Sequence, residues 1–585
     1  MREREREMEE RELVHLPIHP HPLRPCDMSI FYCEMCRTKQ NNSDGYSCET
    51  CISAVFHREC AASPLELHHH PYHPPHSLTL CPLNRDLGEA SEICSFCAEK
   101  LGGGWVYHCP ACSKFVVHLL CARKPPAFEV AHPKSHGHKL FLLPKPRLFT
   151  CDACGLTIDS PSLPWACLQC GAMLHGSCVD LPRVIRISRH HHRLRYASSP
   201  PPPPPHEAWS CGVCRKVVDN QYGAYLCSNS CRYVVHSKCA TREDVWDGQD
   251  HEGTPEEPED VEEPFEVIND KVIRHFIHGH HLELNEVDGA RLDGSEHCQI
   301  CALPIRVHSG SIYRCTQFDC GFVLHETCGN LPRMTWYMLH PHRLKLQTCG
   351  VERRGCRICP RYFSGLMYDC SREDCHFGID VHCAAVSEPL LHITHPHPLF
   401  SLSSSLYGKT CSGCKRIQYF STVMECIRCD FYLCFTCITL PPKVSYKHDR
   451  HPLVLVGGAG GEEATVGGEN WWCEICEGKM NPEEELYYTC DICCVTVHVS
   501  CLLGEDPHLK PGHYSDPFAR EFNDDDYDDD DDGYYYNKRR VTEFEILANI
   551  SCSRPLCHRC QRRCPFPIVF KENDRHFCTY YCLYF

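Results

Sequence analysis

The sequence starts with few apolar residues. It opens "MREREREMEERELVHL", whereas entry into an oxidising compartment normally requires an apolar signal segment. The charged lead, residues 1–16, therefore predicts an intracellular protein of the cytoplasm, the nucleus or both. No run approaches the roughly 18 apolar residues of a membrane span, and no lipidation signal is present. Nor is there an excess of basic residues: 59 Lys and Arg stand against 76 Asp and Glu, a formal net charge of -17. Nucleic-acid binding draws on cationic contacts to phosphate, so this balance argues against a general nucleic-acid role. The negative charge is gathered into "EEPEDVEEPFE" (256–266) and "NDDDYDDDDDG" (523–533), which read as solvated, disordered acidic segments.

What the chain has is 51 cysteines and 42 histidines among 585 residues. An odd cysteine total leaves at least one unpaired in any disulfide scheme, and a reducing compartment favours metal over disulfides. The cysteines recur in a fixed order, H-x-H-x-L, then C-x2-C, then C-x2-C, then H-x2-C, at a spacing of roughly 50 to 90 residues.

Unit one uses His19, His21, Cys33, Cys36, Cys48, Cys51, His57 and Cys60. Unit two uses His73, His76, Cys94, Cys97, Cys109, Cys112, His118 and Cys121, with a wider histidine spacing. In unit three the set is His136, His138, Cys151, Cys154, Cys167, Cys170, His175 and Cys178, and in unit four His190, His192, Cys211, Cys214, Cys227, Cys231, His236 and Cys239. After an acidic stretch, unit five offers His278, His280, Cys298, Cys301, Cys315, Cys320, His325 and Cys328. Unit six is His340, His342, Cys356, Cys359, Cys370, Cys375 and Cys383, with Asp380 at the position of the last histidine. Unit seven is His395, His397, Cys411, Cys414, Cys426, Cys429 and Cys437, with Cys434 at that position. Unit eight offers His448, His451, Cys473, Cys476, Cys490, Cys493, His498 and Cys501. A last cluster, Cys557, Cys560, Cys578 and Cys582, supplies one more candidate site, with Cys552 and Cys564 as spares, while Cys26, Cys81, Cys349 and Cys494 fall outside the pattern.

The exchange of histidine for Asp380 and Cys434 is informative, because all three side chains are zinc ligands. A general base or a packing histidine has no reason to alternate with that set. Two cysteines separated by two residues can aim both sulfurs at one point, and tetrahedral zinc needs four donors at about 2.0–2.3 Å. Eight donors in each unit therefore suit two sites. Histidines at i and i+2 of an extended strand share a face, so the dyad can complete the second site; alternatively, one of its histidines is merely exposed. Each unit is near or below the size at which a domain needs metal or disulfides to fold. Structural zinc contributes on the order of 10–16 kcal/mol in small finger peptides. An aromatic before the second pair (Tyr46, Tyr107, Trp165, Tyr225, Tyr313, Tyr368, Tyr488) is expected to fill a minimal core.

The resulting fold class is a tandem of small zinc-stabilised α+β modules, short β-hairpins plus a short helix, with disordered acidic segments. The expected boundaries are 17–65, 66–125, 130–182 and 186–242, an acidic linker at 243–268, then 272–332, 336–386, 392–440 and 446–505. An acidic tail at 506–550 and the cysteine cluster at 551–585 close the chain. "PPPPPP" (200–205) reads as a stiff spacer inside unit four. "NKRR" (537–540) is too short to make a convincing nuclear signal.

With H-x-H-x-L, the two C-x2-C pairs and "LHxxC" in this order, residues 17 to 505 resemble the plant cysteine/histidine-rich proteins with divergent C-one domains, relatives of the phorbol-ester and diacylglycerol-binding finger. The segment "RPLCHRCQRRCPFPIVF" followed by "HFCTYYC" is similar to the cluster that ends many members. The resemblance implies interleaved zinc sites. In unit three these are Cys151, Cys154, His175 and Cys178 at one site, with His136 or His138, Cys167 and Cys170 at the other. The parent finger takes its eighth ligand from a later cysteine that most units here lack, and the dyad is the proposed substitute. The Gln-Gly element used for diacylglycerol does not occur in "CGLTIDSPSLPWAC" (154–167) or "CRTKQNNSDGYSC" (36–48), which argues against lipid as the ligand.

Three functions compete. A catalytic zinc keeps one position open, whereas here the protein can fill all four. Protein-disulfide reductase activity through C-x2-C pairs such as "CGVC" (211–214) lacks a βαβ context. The expectation is a zinc-binding scaffold for other proteins, not an enzyme, with signalling or stress response as the role the resemblance implies.

Overall fold

The computed structural model describes residues 13–584 apart from 52–53, 84–91, 113, 230, 256–261, 287–295, 306–309, 349–353, 373–374, 403–407, 419–421, 447, 450, 458–470, 483–484, 516–542 and 550–553. The acidic run at 523–533, "NKRR", Cys349, Cys552 and most of the N-terminal lead lie outside the described residues. The chain divides into two compact units, Met1–Thr254 and Pro255–Phe585.

One plan repeats along the described residues. In module two the strands Glu66–Leu67, Leu78–Pro82, Trp105–His108 and Val116–His118 form an antiparallel sheet in sequence order. The short helix Leu119–Arg123 follows at once. The last strand of a module ends on the recurring histidine, or on Asp380 or Cys434 in its place, except in module three, where it ends at Leu174 just before His175, and the next turn carries the cysteine of H-x2-C. Extended backbone at His57, His175 and His325 hands over to that turn. Module three closes with a single 3-10 turn, Gly176–Cys178, where a helix was expected. Helices of four or five residues are too short to be stable alone, so the adjoining cysteine cluster and sheet must hold them.

Several boundaries move. Residues 243–254 are not a linker: Val245 is buried, its carbonyl accepts from Ser188 N, and His251 N donates to Val184 O at 2.7 Å. Phe265–Asn269 is a strand of module five, whose sheet thereby has five strands. Within the expected tail, Gly512–Ser515 pairs with Glu543–Ala548, which in turn pairs with Ile568–Glu572. The terminal unit thus takes strands from both sides of the acidic run. Alternating apolar residues in "EFEILA" place Phe544 and Ile546 in its core, a signal the nearby acidic residues outweighed in the sequence.

Consecutive modules are joined at one recurring point. The backbone N–H two residues ahead of the recurring aromatic donates to a carbonyl inside the first C-x2-C of the preceding module. The pairs are Trp105 to Met35 (2.7 Å), Leu163 to Ser95 (2.8 Å), Gly223 to Asp152 (2.9 Å), Leu366 to Ile300 (2.9 Å) and Leu486 to Gly413 (3.2 Å). The tyrosine beside the joint ties down the linker as well. Tyr107, Tyr225, Tyr368 and Tyr488 are fully buried, and their hydroxyls donate to the carbonyls of Pro64, Pro182, Pro332 and Pro441 at 2.6–2.7 Å. These residues therefore do more than fill a core. They fix the position of each module on the last.

Candidate metal centres

The first C-x2-C of a module is shaped by its backbone. Residues 37, 98, 155, 215, 302, 415, 477 and 561, each directly after the second cysteine, have φ between 55° and 71°. Their N–H groups donate back to the carbonyl of the first cysteine, for example Arg37 to Cys33 at 2.9 Å and Gln561 to Cys557 at 3.0 Å. Only one of the eight, Gly155, is a glycine, and the left-handed region is costly for the others. The tight loop turns both sulfurs to the same side. Module six departs from it, because Pro360 follows Cys359 and proline cannot take a positive φ.

These sulfurs meet the H-x2-C pair. Cys33, Cys36, His57 and Cys60 have their donor atoms within 4.8 Å of one another, as do Cys94, Cys97, His118 and Cys121. In module three, His175 Nδ1 lies 3.6 Å from Cys154 Sγ, and the His175 N–H donates to Cys151 Sγ at 3.3 Å. Cys178 forms side-chain hydrogen bonds with Cys151 and Cys154. Cys214, Cys239 and His236 gather around Cys211, and Cys301, Cys328 and His325 around Cys298. In module eight the members are Cys473, Cys476, His498 and Cys501. In module six, Asp380 Oδ2 lies 3.4 Å from Cys359 Sγ beside Cys356 and Cys383, while Oδ1 caps the helix by accepting from the N–H of His382 and Cys383. Module seven brings together four cysteines, Cys411, Cys414, Cys434 and Cys437.

The second pair meets the histidine dyad. His19, His21, Cys48 and Cys51 form one such group, His73, His76, Cys109 and Cys112 another, and His136, His138, Cys167 and Cys170 a third. His190 and His192 lie 3.2 Å from Cys227 and Cys231 respectively. His278 stands between Cys315 and Cys320, with His280 3.6 Å from Cys315. His340 faces Cys375 and His342 faces Cys370. His397 Nδ1 is 3.1 Å from Cys429, in the module that carries Cys426 on its third strand. The two ligand sets are therefore crossed along the chain, first pair with last pair and dyad with middle pair. Seventeen groups of three or more such donors occur among the described residues.

Unit eight differs from the sequence reading. Against Cys493 lie His451 Nδ1 at 3.2 Å and Asp449 Oδ1 at 3.0 Å, with Cys490 also bonded to Asp449. His448 is exposed, with its ring on Tyr446. Asp449-x-His451 preserves the i, i+2 register of the other dyads, and the replacement is the same one seen at Asp380. Preferring a second histidine over that register concealed it. An aromatic three residues before the recurring histidine was also missed: Phe115, Tyr233, Phe322, Phe377 and Phe431 stack on His73, His190, His278, His340 and His395 with ring centroids 4.0–4.1 Å apart. The recurrence of F or Y at that position was legible. In the terminal unit, Cys560, Cys578 and Cys582 have adjacent sulfurs at 3.5–3.7 Å, with Cys557 bonded to Cys560 and Cys582. Cys564 is buried close by, and burial first of all pushes its thiol up to about 12.

The donors suit zinc chemically. Thiolate, imidazole and carboxylate are its protein ligands, and the sulfurs receive backbone N–H bonds that favour the thiolate. The Cys473 thiol is pulled down to about 4, first by its hydrogen bond with Cys501 and then, against burial, by N–H groups of His498, Cys476 and Ile475. His118 Nε2 and His236 Nε2 donate to the carbonyls of Lys100 and Val217 at 3.0 Å. That leaves the Nδ1 lone pair facing the sulfurs, as an outer hydrogen bond does for a metal-bound histidine. Buried His395 has no hydrogen-bond partner at either ring nitrogen, a costly state unless a further group is bound there.

The family model for the C1 domain matches residues 17–61, 71–122, 134–179, 188–240, 276–329 and 446–502, together just over half of the chain. This chain belongs to the C1 domain family. A second model, C1 domain-like, C-terminal, matches residues 544–583. The C1 matches omit modules six and seven, the two that carry Asp380 and Cys434 in the histidine position, although both retain the four-stranded C1-type sheet. No curated protein and no solved structure matches this C1 chain. Among the described residues no helix is long and apolar enough to cross a membrane.

Proposed function

We propose that this protein is an intracellular zinc-binding scaffold in signalling or stress response, acting by presenting surfaces to other proteins and not by catalysis. Its metals are structural, two to each module and one in the terminal unit. The observation that carries this reading is the donor count: the module clusters assemble as four-donor sets, so the protein itself fills the coordination sphere that a catalytic zinc leaves partly open. The joined modules then display several surfaces on one chain, which raises effective concentration for a multivalent partner. The missing Gln-Gly element in modules one and three supports protein over diacylglycerol as the ligand class.

Metal analysis alongside native mass of the full chain under reducing conditions tests it. The reading expects about seventeen zinc ions, with circular dichroism lost on chelation. About eight ions would remove the dyads as ligands, and hydrolytic or reductase turnover by the loaded protein would sink the scaffold reading.

A further inference from the structure

The two kinds of centre in a module differ in how far solvent reaches their donors. At the first-pair centres the leading cysteine is buried in every module except module six, and the cysteine of H-x2-C in every module except module four. At the dyad centres the second cysteine of the pair is buried in none. Cys170, Cys429 and Cys493 are exposed there, and the others are half-buried. His76, His138 and His280 of the dyads are exposed as well.

Packing between modules sharpens the contrast. Each of the five joints lays a later strand on a first-pair loop. The Ser177 N–H adds a bond to the Cys97 carbonyl at 3.0 Å, and Ser237 Oγ one to the Ala153 carbonyl at 2.7 Å. Cys476 is the one exposed cysteine of the first pairs, and even there Arg554 Nη1 of the terminal unit donates to the Ile475 carbonyl at 3.3 Å. Bonds around the middle pair turn back on their own module instead: the Ser228 N–H, Thr316 Oγ1 and Ser371 Oγ donate to the carbonyls of Arg193, His281 and Arg343 at 2.9–3.2 Å. The donor sets differ in the same sense. A dyad centre offers two thiolates, a first-pair centre three or, in module seven, four, and soft thiolate sulfur is a ligand that selects zinc.

We propose that the dyad centres are exchangeable zinc sites, from which the chain hands metal to a competing thiolate or nitrogen ligand, while the first-pair centres keep theirs. This rests on the zinc reading given above. Exchange begins when an incoming donor reaches the ion, since four-coordinate zinc can pass through a five-coordinate state. The incoming ligand forms its bond to zinc, the bond to the outer cysteine breaks, and the released thiolate takes up a proton from solvent. No electron changes hands. Further donors of the same ligand displace the remaining side chains, and the ion leaves with the acceptor. The exposed sulfurs of Cys170, Cys429 and Cys493 leave that approach open, whereas the first-pair ion lies behind its own sheet and the joint. Because the joints are made by the first-pair loops, metal can leave the dyad side and return with the joints intact.

The test adds an excess of the chromogenic chelator pyridylazo-resorcinol to the zinc-loaded full chain in a thiol-free reductant and follows the colour of its zinc complex. A sample quenched with iodoacetamide at the end of the first phase is compared by mass spectrometry with one that never met the chelator. Loss of about eight zinc equivalents, one from each module, is expected in the first phase, with new alkylation at the middle pairs and none at the first pairs. A single phase for all the metal, or first alkylation at the first pairs, overturns the proposal. Middle pairs alkylated equally without chelator, in a chain that loads only about eight ions, overturn instead the reading of the dyads as zinc sites. The mapping is done on the unaltered chain, so no variant has to fold for the outcome to be read.

Discussion

At the residue scale, small departures from the repeat carry the most information. Asp449 occupies the place of a dyad histidine, with its oxygen 3.0 Å from Cys493. Asp449→Ala is therefore expected to lower the zinc content by one ion per chain, and His448→Ala to leave it unchanged, as measured by metal analysis. The left-handed residues after the first cysteine pair offer a second check. Ala302, at φ 63°, meets a steric cost that glycine does not. Ala302→Gly is expected to stabilise module five by roughly 0.5–1 kcal/mol, the relief of strain exceeding glycine's entropy cost, visible as a higher chelator concentration for unfolding. Tyr107 shows the pH dependence of a buried phenol: burial, the first cause, pushes its hydroxyl up to about 12. A folded value above the unfolded one means that the contribution is whole below pH 10 and is lost as pH rises toward 12. Alkaline unfolding followed by tyrosinate absorbance should show Tyr107→Phe to be less sensitive over that window.

At the scale of elements, the joint between modules is the feature to probe. A Cβ built on Gly365 would stand 2.0 Å from the Ile300 carbonyl oxygen, so the strand that begins at Leu366 can approach the Cys298–Cys301 loop only because this residue lacks a side chain. Gly365→Val is expected to open the joint at a cost of about 1–3 kcal/mol, read as lost hydrogen-exchange protection at the Leu366 amide. Unchanged protection would show that the contact is incidental. Much of the module was legible beforehand, since cysteine spacing picked out the donors that the fold brings together, but the dyad lies on a strand only in modules four, six and seven and just ahead of it elsewhere. The joints were not legible, because a backbone N–H and a carbonyl leave no mark on residue type. The aromatic two positions on was legible as core filling, but its hydroxyl bond to a proline carbonyl was not. The terminal strands Gly512–Ser515 and Glu543–Ala548 were hidden for a different reason. They lie far apart in sequence, on either side of an acidic run, so no local pattern linked them.

At the scale of the whole molecule, each compact unit is held by contacts that span several modules. Lys238, in the helix of module four, donates to Ser177 Oγ of module three at 2.8 Å and pairs with Glu99 of module two. Ser237 Oγ donates to the Ala153 carbonyl within the Cys151–Cys154 loop. Metal loss in one module should therefore weaken its neighbours, as expected when stability is a sum of repeats and their interfaces. Cys154→Ser is expected to reduce exchange protection in modules two and four as well as three, while residues of the second unit keep theirs. Protection lost only in module three would show the modules to be independent.

The joints also have a direction. In all five pairs the carbonyl belongs to the earlier module and the N–H to the later one. During synthesis, then, a module that has left the ribosome and closed around its metals still displays an unpaired loop carbonyl, and what satisfies it has not yet been translated. At about 5–20 residues per second the next module arrives within seconds. The protein is thus suited to being finished from its N-terminal end, one module guiding the placement of the next, and a pause within a module would leave the preceding metal loop uncovered for the length of the delay.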